Sequence, residues 1–118
     1  MKNRQFYHRL AFAISGIAEA WRRERSFRTQ VFLGFVATAF TVVVAPGWIW
    51  AAAVALSITF VLALELINTA TEGLIHYLHP AVAPEIKLAK DIAAGAVLIA
   101  SIGAVSVGLL MVLSRFWR

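Results

Sequence analysis

The sequence predicts an all-α integral membrane protein of a bacterial type, with an N-terminal amphipathic surface helix followed by three membrane-spanning helices. Three observations predict it. The apolar fraction is 61% against 14% charged residues; several stretches combine helical periodicity with an absence of charge; and basic residues gather beside those stretches. A chain of 118 residues has room for one domain, and a soluble domain would carry far more charge, so residues 1–118 are treated as one membrane unit with lipid as its solvent.

The surface helix is expected over about residues 5–27. Phe6, Leu10, Ile14, Ile17 and Trp21 recur at the period of one helical face, while His8, Arg9, Ser15, Glu19, Arg22 and Arg23 fill much of the remainder. Such a helix can lie in the membrane interface with its aromatic face down; the alternative is a solvent-facing helix packed on the protein's own bundle. A secretory signal would place an apolar stretch directly after a short basic region. Here the first long apolar run begins only at Val31, so the N-terminus is expected to be retained and cytoplasmic.

The first span is expected over residues 29–46. Val31 to Ala45 carries no charge, and Pro46-Gly47 supplies the turn that ends it. Trp48 and Trp50 follow, where amphipathic rings favour the interface. The second span, residues 49–78, continues its helical pattern past Glu65 to about Leu78, longer than a bilayer requires, so its end bearing Glu65 and Glu72 should project from the membrane. His79-Pro80 stops it, Ala81 to Glu85 forms a short loop, and the third span is expected over residues 87–114.

Lys and Arg number 11 against 6 Asp and Glu, and nine of the eleven precede Val31 or lie within Lys87 to Lys90. This placement reads as membrane topology rather than as a nucleic-acid footprint. It puts the N-terminal segment and the His76–Asp91 region in the cytoplasm, with Pro46-Gly47 and the C-terminus outside. Arg115 and Arg118 oppose that assignment but are outnumbered. The absence of cysteine excludes disulfides, thiolate metal sites and a cysteine nucleophile.

The polar residues at the cytoplasmic face need a physical explanation. Glu65, Asn68 and Glu72 are spaced three and four apart and stack on one helical face. An acidic residue at a helix centre in the bilayer costs on the order of 2.5–3.5 kcal/mol, and less towards an end. Asp91 opens the third span beside Lys87 and Lys90, and Glu24 sits among Arg22, Arg23, Arg25 and Arg28. Carboxylates with an amide between them suit a hard cation such as Mg2+, and the basic residues suit phosphate charge. Together they form the parts of a phosphoryl-transfer site: metal, basic clamps and a carboxylate beside an attacking hydroxyl. The plainer alternative, that Glu65 and Glu72 pair with Arg or Lys of neighbouring helices, remains open at this level. No Gly-rich phosphate loop or protein-kinase pattern is present. Gly34, Gly95, Gly103 and Gly108 are read as close-packing positions in the spans, as is Gly16 in the surface helix, and His8, His76 and His79 as interfacial polar groups.

The run Glu65-Leu66-Ile67-Asn68-Thr69-Ala70-Thr71-Glu72, followed by Ala89-Lys90-Asp91-Ile92-Ala93-Ala94-Gly95-Ala96-Val97-Leu98, resembles the paired signature of the prokaryotic diacylglycerol kinase family, which includes undecaprenol kinases. Glu24-Arg25-Ser26-Phe27-Arg28 resembles its third element, and the resemblance covers nearly the whole chain. It implies a homotrimeric inner-membrane enzyme, with a surface helix and three spans per subunit, that transfers the γ-phosphate of ATP to a lipid hydroxyl. By matched position, Glu65 resembles the catalytic base, and Glu24 and Glu72 the Mg2+ ligands. Asn68 and Lys90 resemble groups that position phosphate, and Asp91 a partner that orients them. Composition shows none of these roles.

Two departures from the family pattern matter. His76 stands where members often carry an acidic residue, which puts a nucleotide or metal role there in doubt. Ala93-Ala94-Gly95 resembles the undecaprenol-kinase branch more than the Gly-Ser-Ala form of enterobacterial diacylglycerol kinases, which leans the expected acceptor towards undecaprenol. Rival functions are a non-catalytic assembly or lipid-binding subunit that retains the fold, and a small ion or proton carrier that uses the same acids for conduction.

Overall fold

In the computed structural model the described residues, 2–78 and 84–117, contain four α-helices: α1 (Lys2–Arg23), α2 (Arg25–Val44), α3 (Trp48–Leu78) and α4 (Pro84–Phe116). The last three are long and apolar enough to cross a membrane. At 1.5 Å per residue, the 31 residues of α3 extend about 46 Å, well beyond a hydrocarbon core of about 30 Å. Glu65 comes about 26 Å along α3 from Trp48, near the far edge of such a core.

The break between α1 and α2 falls at Glu24, earlier than the expected end of the surface helix at residue 27. Glu24 is extended (φ −110°, ψ 108°), so the chain turns there, and Arg25 to Phe27 belong to the spanning helix instead. The guanidinium of Arg28 secures the bend, because its Nη1 donates to the carbonyl oxygens of Trp21 (2.6 Å) and Arg22 (3.2 Å) at the end of α1. These carbonyls lack partners within their own helix, and a cation is favoured there by the helix dipole as well.

At the opposite end, α2 closes with Ala45 in the left-handed region (φ 50°), its N–H bonded to the Thr41 carbonyl at 2.9 Å, and Gly47 (φ 107°) completes the reversal. A positive φ of that size is open to glycine at little cost, which explains the Pro46-Gly47 sequence in physical terms. Trp50 Nε1 donates to Ser114 Oγ at 3.1 Å and Arg115 Nε to the Val44 carbonyl at 3.2 Å, tying this turn to the end of α4. Val44, Val54 and Met111, the last only 1% exposed, form the apolar core beneath it.

The expected stop at His79-Pro80, and the loop as far as residue 83, lie outside the described residues. α4 begins at Pro84, not near Lys87. Proline suits the first turn of a helix because its missing N–H has no helical partner to lose, and Glu85 in that turn faces the positive end of the dipole.

α3 lies at the centre, packed along α4 and against α2, while α1 meets only the neighbouring parts of α2 and α3. The molecule measures 55 × 45 × 22 Å, so it is about two helices thick. Most large apolar side chains of the three long helices face outward, among them Phe35, Val43, Leu56 and Ile99. Lipid, or another protein surface, is the medium such faces require. In α1 residues 5–18 are all exposed and, among its described residues, Ala20 alone is buried; the helix therefore packs on the bundle through its C-terminal end only.

The helices approach most closely at Gly34, where an added Cβ would stand 3.0 Å from Ile58 Cγ2. That matches the close-packing role expected of it. At Gly16, Gly95, Gly103 and Gly108 a Cβ would meet nothing within 4 Å among the described residues.

Candidate functional site

Within α3, Glu65, Asn68 and Glu72 occupy one helical face, but burial differs along it. Glu65 is only 5% exposed, whereas Asn68 and Glu72 are half-buried. Burying a carboxylate requires hydrogen bonds or a cation to replace its water. Glu65 Oε2 accepts a hydrogen bond of 2.7 Å from Ser26 Oγ in the first turn of α2. Among the described residues, the ion pairs are Glu19 with Arg22 and Arg23, and Lys87 with Asp91; none involves Glu24, Glu65 or Glu72. Among the described residues, no Arg or Lys of a neighbouring helix pairs with Glu65 or Glu72, the plainer expectation for them.

Asn68 adds a second anomaly. Its Oδ1 is buried and has no hydrogen-bond partner among the described residues. A carbonyl-type oxygen in that state costs roughly 1–3 kcal/mol unless something donates to it or coordinates it. An amide oxygen one turn from a buried carboxylate belongs to the donor type that hard divalent cations take, and Mg2+ commonly uses one or two protein carboxylates alongside phosphate oxygens. The residues present fit such an ion in kind. Among the described residues, however, no three His, Asp or Glu side chains converge closely enough to enclose one, so phosphate oxygens or a second chain would have to complete the shell.

Glu24 lies at the bend between α1 and α2, half-buried, at the position that caps α2. Its side chain makes no capping hydrogen bond to the helix, so local backbone donors do not occupy the carboxylate. Since Ser26 reaches Glu65, the bend that carries Glu24 is held against the acidic face of α3.

Lys90 and Asp91 stand in the second turn of α4, both exposed. Asp91 Oδ2 accepts from Lys87 Nζ at 2.9 Å, an i,i+4 pair within the helix. Neither Lys90 nor Asp91 makes a hydrogen bond or ion pair with Glu24, Glu65, Asn68 or Glu72 among the described residues. The structure thus joins the Glu24–Arg28 and Glu65–Glu72 elements through Ser26 and Glu65, while the α4 pair makes no such bond to them among the described residues. His76 is exposed.

Beside the acidic face, α1 and α3 enclose an open groove of about 780 Å³, floored by small residues such as Gly16, Ala20, Ala70 and Gly73, with Glu19 and Arg23 among its lining. Its lining is mainly apolar, and its volume is in the range that accommodates a small ligand.

Sequence reasoning assigned no role to Ser26 or Arg28. Nothing in the spacing links Ser26 to Glu65, 39 residues away, because the contact depends on how α2 crosses α3. Arg28 was visible only as one cation among several, although its position in the turn after a helix end is the arrangement in which a guanidinium reaches orphan carbonyls.

The sequence model described as prokaryotic diacylglycerol kinase matches residues 11–112. A diacylglycerol kinase of Synechocystis sp. (strain ATCC 27184 / PCC 6803 / Kazusa) is 38% identical over 98 residues, which covers 82% of this chain and 56% of that protein. The chain therefore spans little more than half the length of this relative. With the family match extending from α1 to near the end of α4, the chain belongs to the prokaryotic diacylglycerol kinase family.

Proposed function

We propose that this protein is a membrane lipid kinase that transfers the γ-phosphate of ATP, with Mg2+, to the hydroxyl of a membrane lipid. The observation that carries the proposal is Glu65: a carboxylate 5% exposed, with no cation paired to it among the described residues, on a helix long and apolar enough to cross a membrane. A carboxylate held at the hydrocarbon edge stands where the hydroxyl of a lipid headgroup lies, and a general base must come within hydrogen-bond reach of the proton it takes. Family membership and the name of the Synechocystis relative support the same chemistry.

In this mechanism Glu65 accepts the proton of the lipid hydroxyl as its oxygen attacks the γ-phosphorus, and the bond from that phosphorus to the β–γ bridging oxygen breaks to release ADP. Asn68, with its unpartnered Oδ1, orients the reacting groups from one turn further along α3. Glu24 and Glu72 would hold the metal ion. When bound, Mg2+ supplies charge neutralisation for the phosphates of ATP. Lys90 and the arginines around the bend carry the remaining phosphate charge, and Asp91 is the partner that orients Asn68 and Lys90. The donors come from three helices, and none forms a pocket around a nucleotide by itself, which supports completion of the site between subunits of a homotrimer.

The acceptor is diacylglycerol or undecaprenol, with the Ala93-Ala94-Gly95 signature favouring undecaprenol. The protein would sit in the bacterial inner membrane with its N-terminus and the acidic ends of its helices in the cytoplasm, where ATP is available. The surface helix α1 would lie in the interface, its aromatic residues against lipid.

The test is phosphate transfer from labelled ATP with Mg2+ in mixed micelles supplied separately with diacylglycerol and undecaprenol. Phosphorylation of one lipid is expected and identifies the acceptor. Transfer to neither, from protein of unchanged assembly, overturns the proposal in favour of a non-catalytic lipid-binding subunit.

A further inference from the structure

The Ser26 hydroxyl behaves differently from most other hydroxyls of the spanning helices. Thr38, Thr41, Ser57, Thr71 and Ser106 all donate to the backbone carbonyl four residues back, the ordinary way for a hydroxyl to satisfy itself inside an apolar helix. For Ser26 the fourth residue back is Arg22, across the Glu24 bend, and the Arg22 carbonyl is engaged by Arg28. The bend therefore frees the Ser26 hydroxyl from local bonding, and it donates across to Glu65 Oε2 at 2.7 Å.

This bond divides the two oxygens of Glu65. Oε2 is held by protein. Oε1 has no hydrogen-bond partner among the described residues. A base needs one oxygen fixed and one free: the fixed oxygen sets the plane of the carboxylate, and the free one meets the incoming hydroxyl.

We propose that Ser26 is a positioning residue for phosphoryl transfer, anchoring one oxygen of Glu65 so that the other is presented to the lipid hydroxyl. The inference rests on the kinase reading, with Glu65 as base. Ser26 touches neither substrate nor ATP in this role and acts through Glu65 alone. Since the hydroxyl sits two residues after Glu24, the same turn of chain that offers a carboxylate towards the metal also sets the base, which couples the two halves of the site.

The experiment compares Ser26→Ala, Ser26→Thr and Ser26→Val with the wild type, measuring kcat and the KM for ATP under saturating lipid. Thr and Val are nearly the same size and shape and differ in the hydroxyl, so they separate hydrogen bonding from packing. A hydrogen bond to a charged group corresponds to about a 10- to 100-fold effect. The expected result is a kcat lower by that factor in the Ala and Val variants, an unchanged KM for ATP, and recovery of most of the kcat in the Thr variant. Unimpaired Ala and Val variants, or Thr and Val variants impaired alike, would overturn the role of Ser26 while leaving the kinase reading intact. A wild-type protein inactive on both lipids would instead overturn that reading. If the Ala variant fails to assemble, the Thr and Val pair still decides the matter.

Discussion

Arg28 caps the helix that precedes its own: its Nη1 lies 2.6 Å from the carbonyl oxygen of Trp21, so the base of α2 holds the end of α1. One guanidinium thereby sets the angle of the Glu24 bend, and the bend places both Glu24 and Ser26.

Replacing Arg28 with Met removes this cap while preserving most of the apolar stem. Amide exchange in the last turn of α1 and at Glu24 should accelerate on the order of 2- to 10-fold, the equivalent of one modest hydrogen bond. Hydrogen-exchange mass spectrometry of the detergent-solubilised protein measures this directly. Exchange that remains at wild-type rates would show that the bend is held by something other than Arg28.

The close approach of α2 and α3 at Gly34 predicts a specific pair of effects. Gly34→Val would drive side-chain atoms into Ile58, whose Cγ2 already lies 3.0 Å from the position of an added Cβ, and overpacking of this kind costs about 1–3 kcal/mol. Ile58→Ala opens space on the opposite side and should restore part of the loss in the double variant, a coupling that a double-mutant cycle of unfolding midpoints would reveal. Strict additivity of the two changes would contradict the packing described.

Asp91 is read as a functional residue, although the structure pairs it with exposed Lys87. Exposed ion pairs contribute little to stability. Asp91→Asn and Lys87→Gln should therefore both leave the unfolding midpoint unchanged. Phosphate transfer should fall in Asp91→Asn and far less in Lys87→Gln. Equal loss in the two would mean that the pair acts only as a unit, and no loss in either would remove Asp91 from the site.

Much of the fold was legible because lipid simplifies the code. The uncharged run from Val31 to Ala45, the turn chemistry of Pro46-Gly47 and the length of the α3 pattern each report one physical demand, and each matches an observed helix or turn. Helix ends were less legible. The break at Glu24 falls where the apolar period that ends at Trp21 has already lapsed, since the positions that would continue it are Glu24, Arg25 and Arg28, so periodicity does not mark where one helix ends and the next begins. The start at Pro84 was read as loop because proline ends helices more conspicuously than it begins them. In the site, the face shared by Glu65, Asn68 and Glu72 follows from spacing alone, since helical geometry is local. The Ser26–Glu65 bond was invisible because it depends on the crossing of two helices, and no periodicity within either one encodes that crossing.

The central claim is that Glu65 takes the proton from the lipid hydroxyl. The most direct test is Glu65→Gln, which keeps the shape and still accepts a hydrogen bond from Ser26 but cannot act as a base. Phosphate transfer from ATP to the preferred lipid should fall by about 10²- to 10⁴-fold, with oligomeric state and unfolding midpoint close to wild type. Transfer at the wild-type rate by a Gln variant of normal assembly would contradict the account.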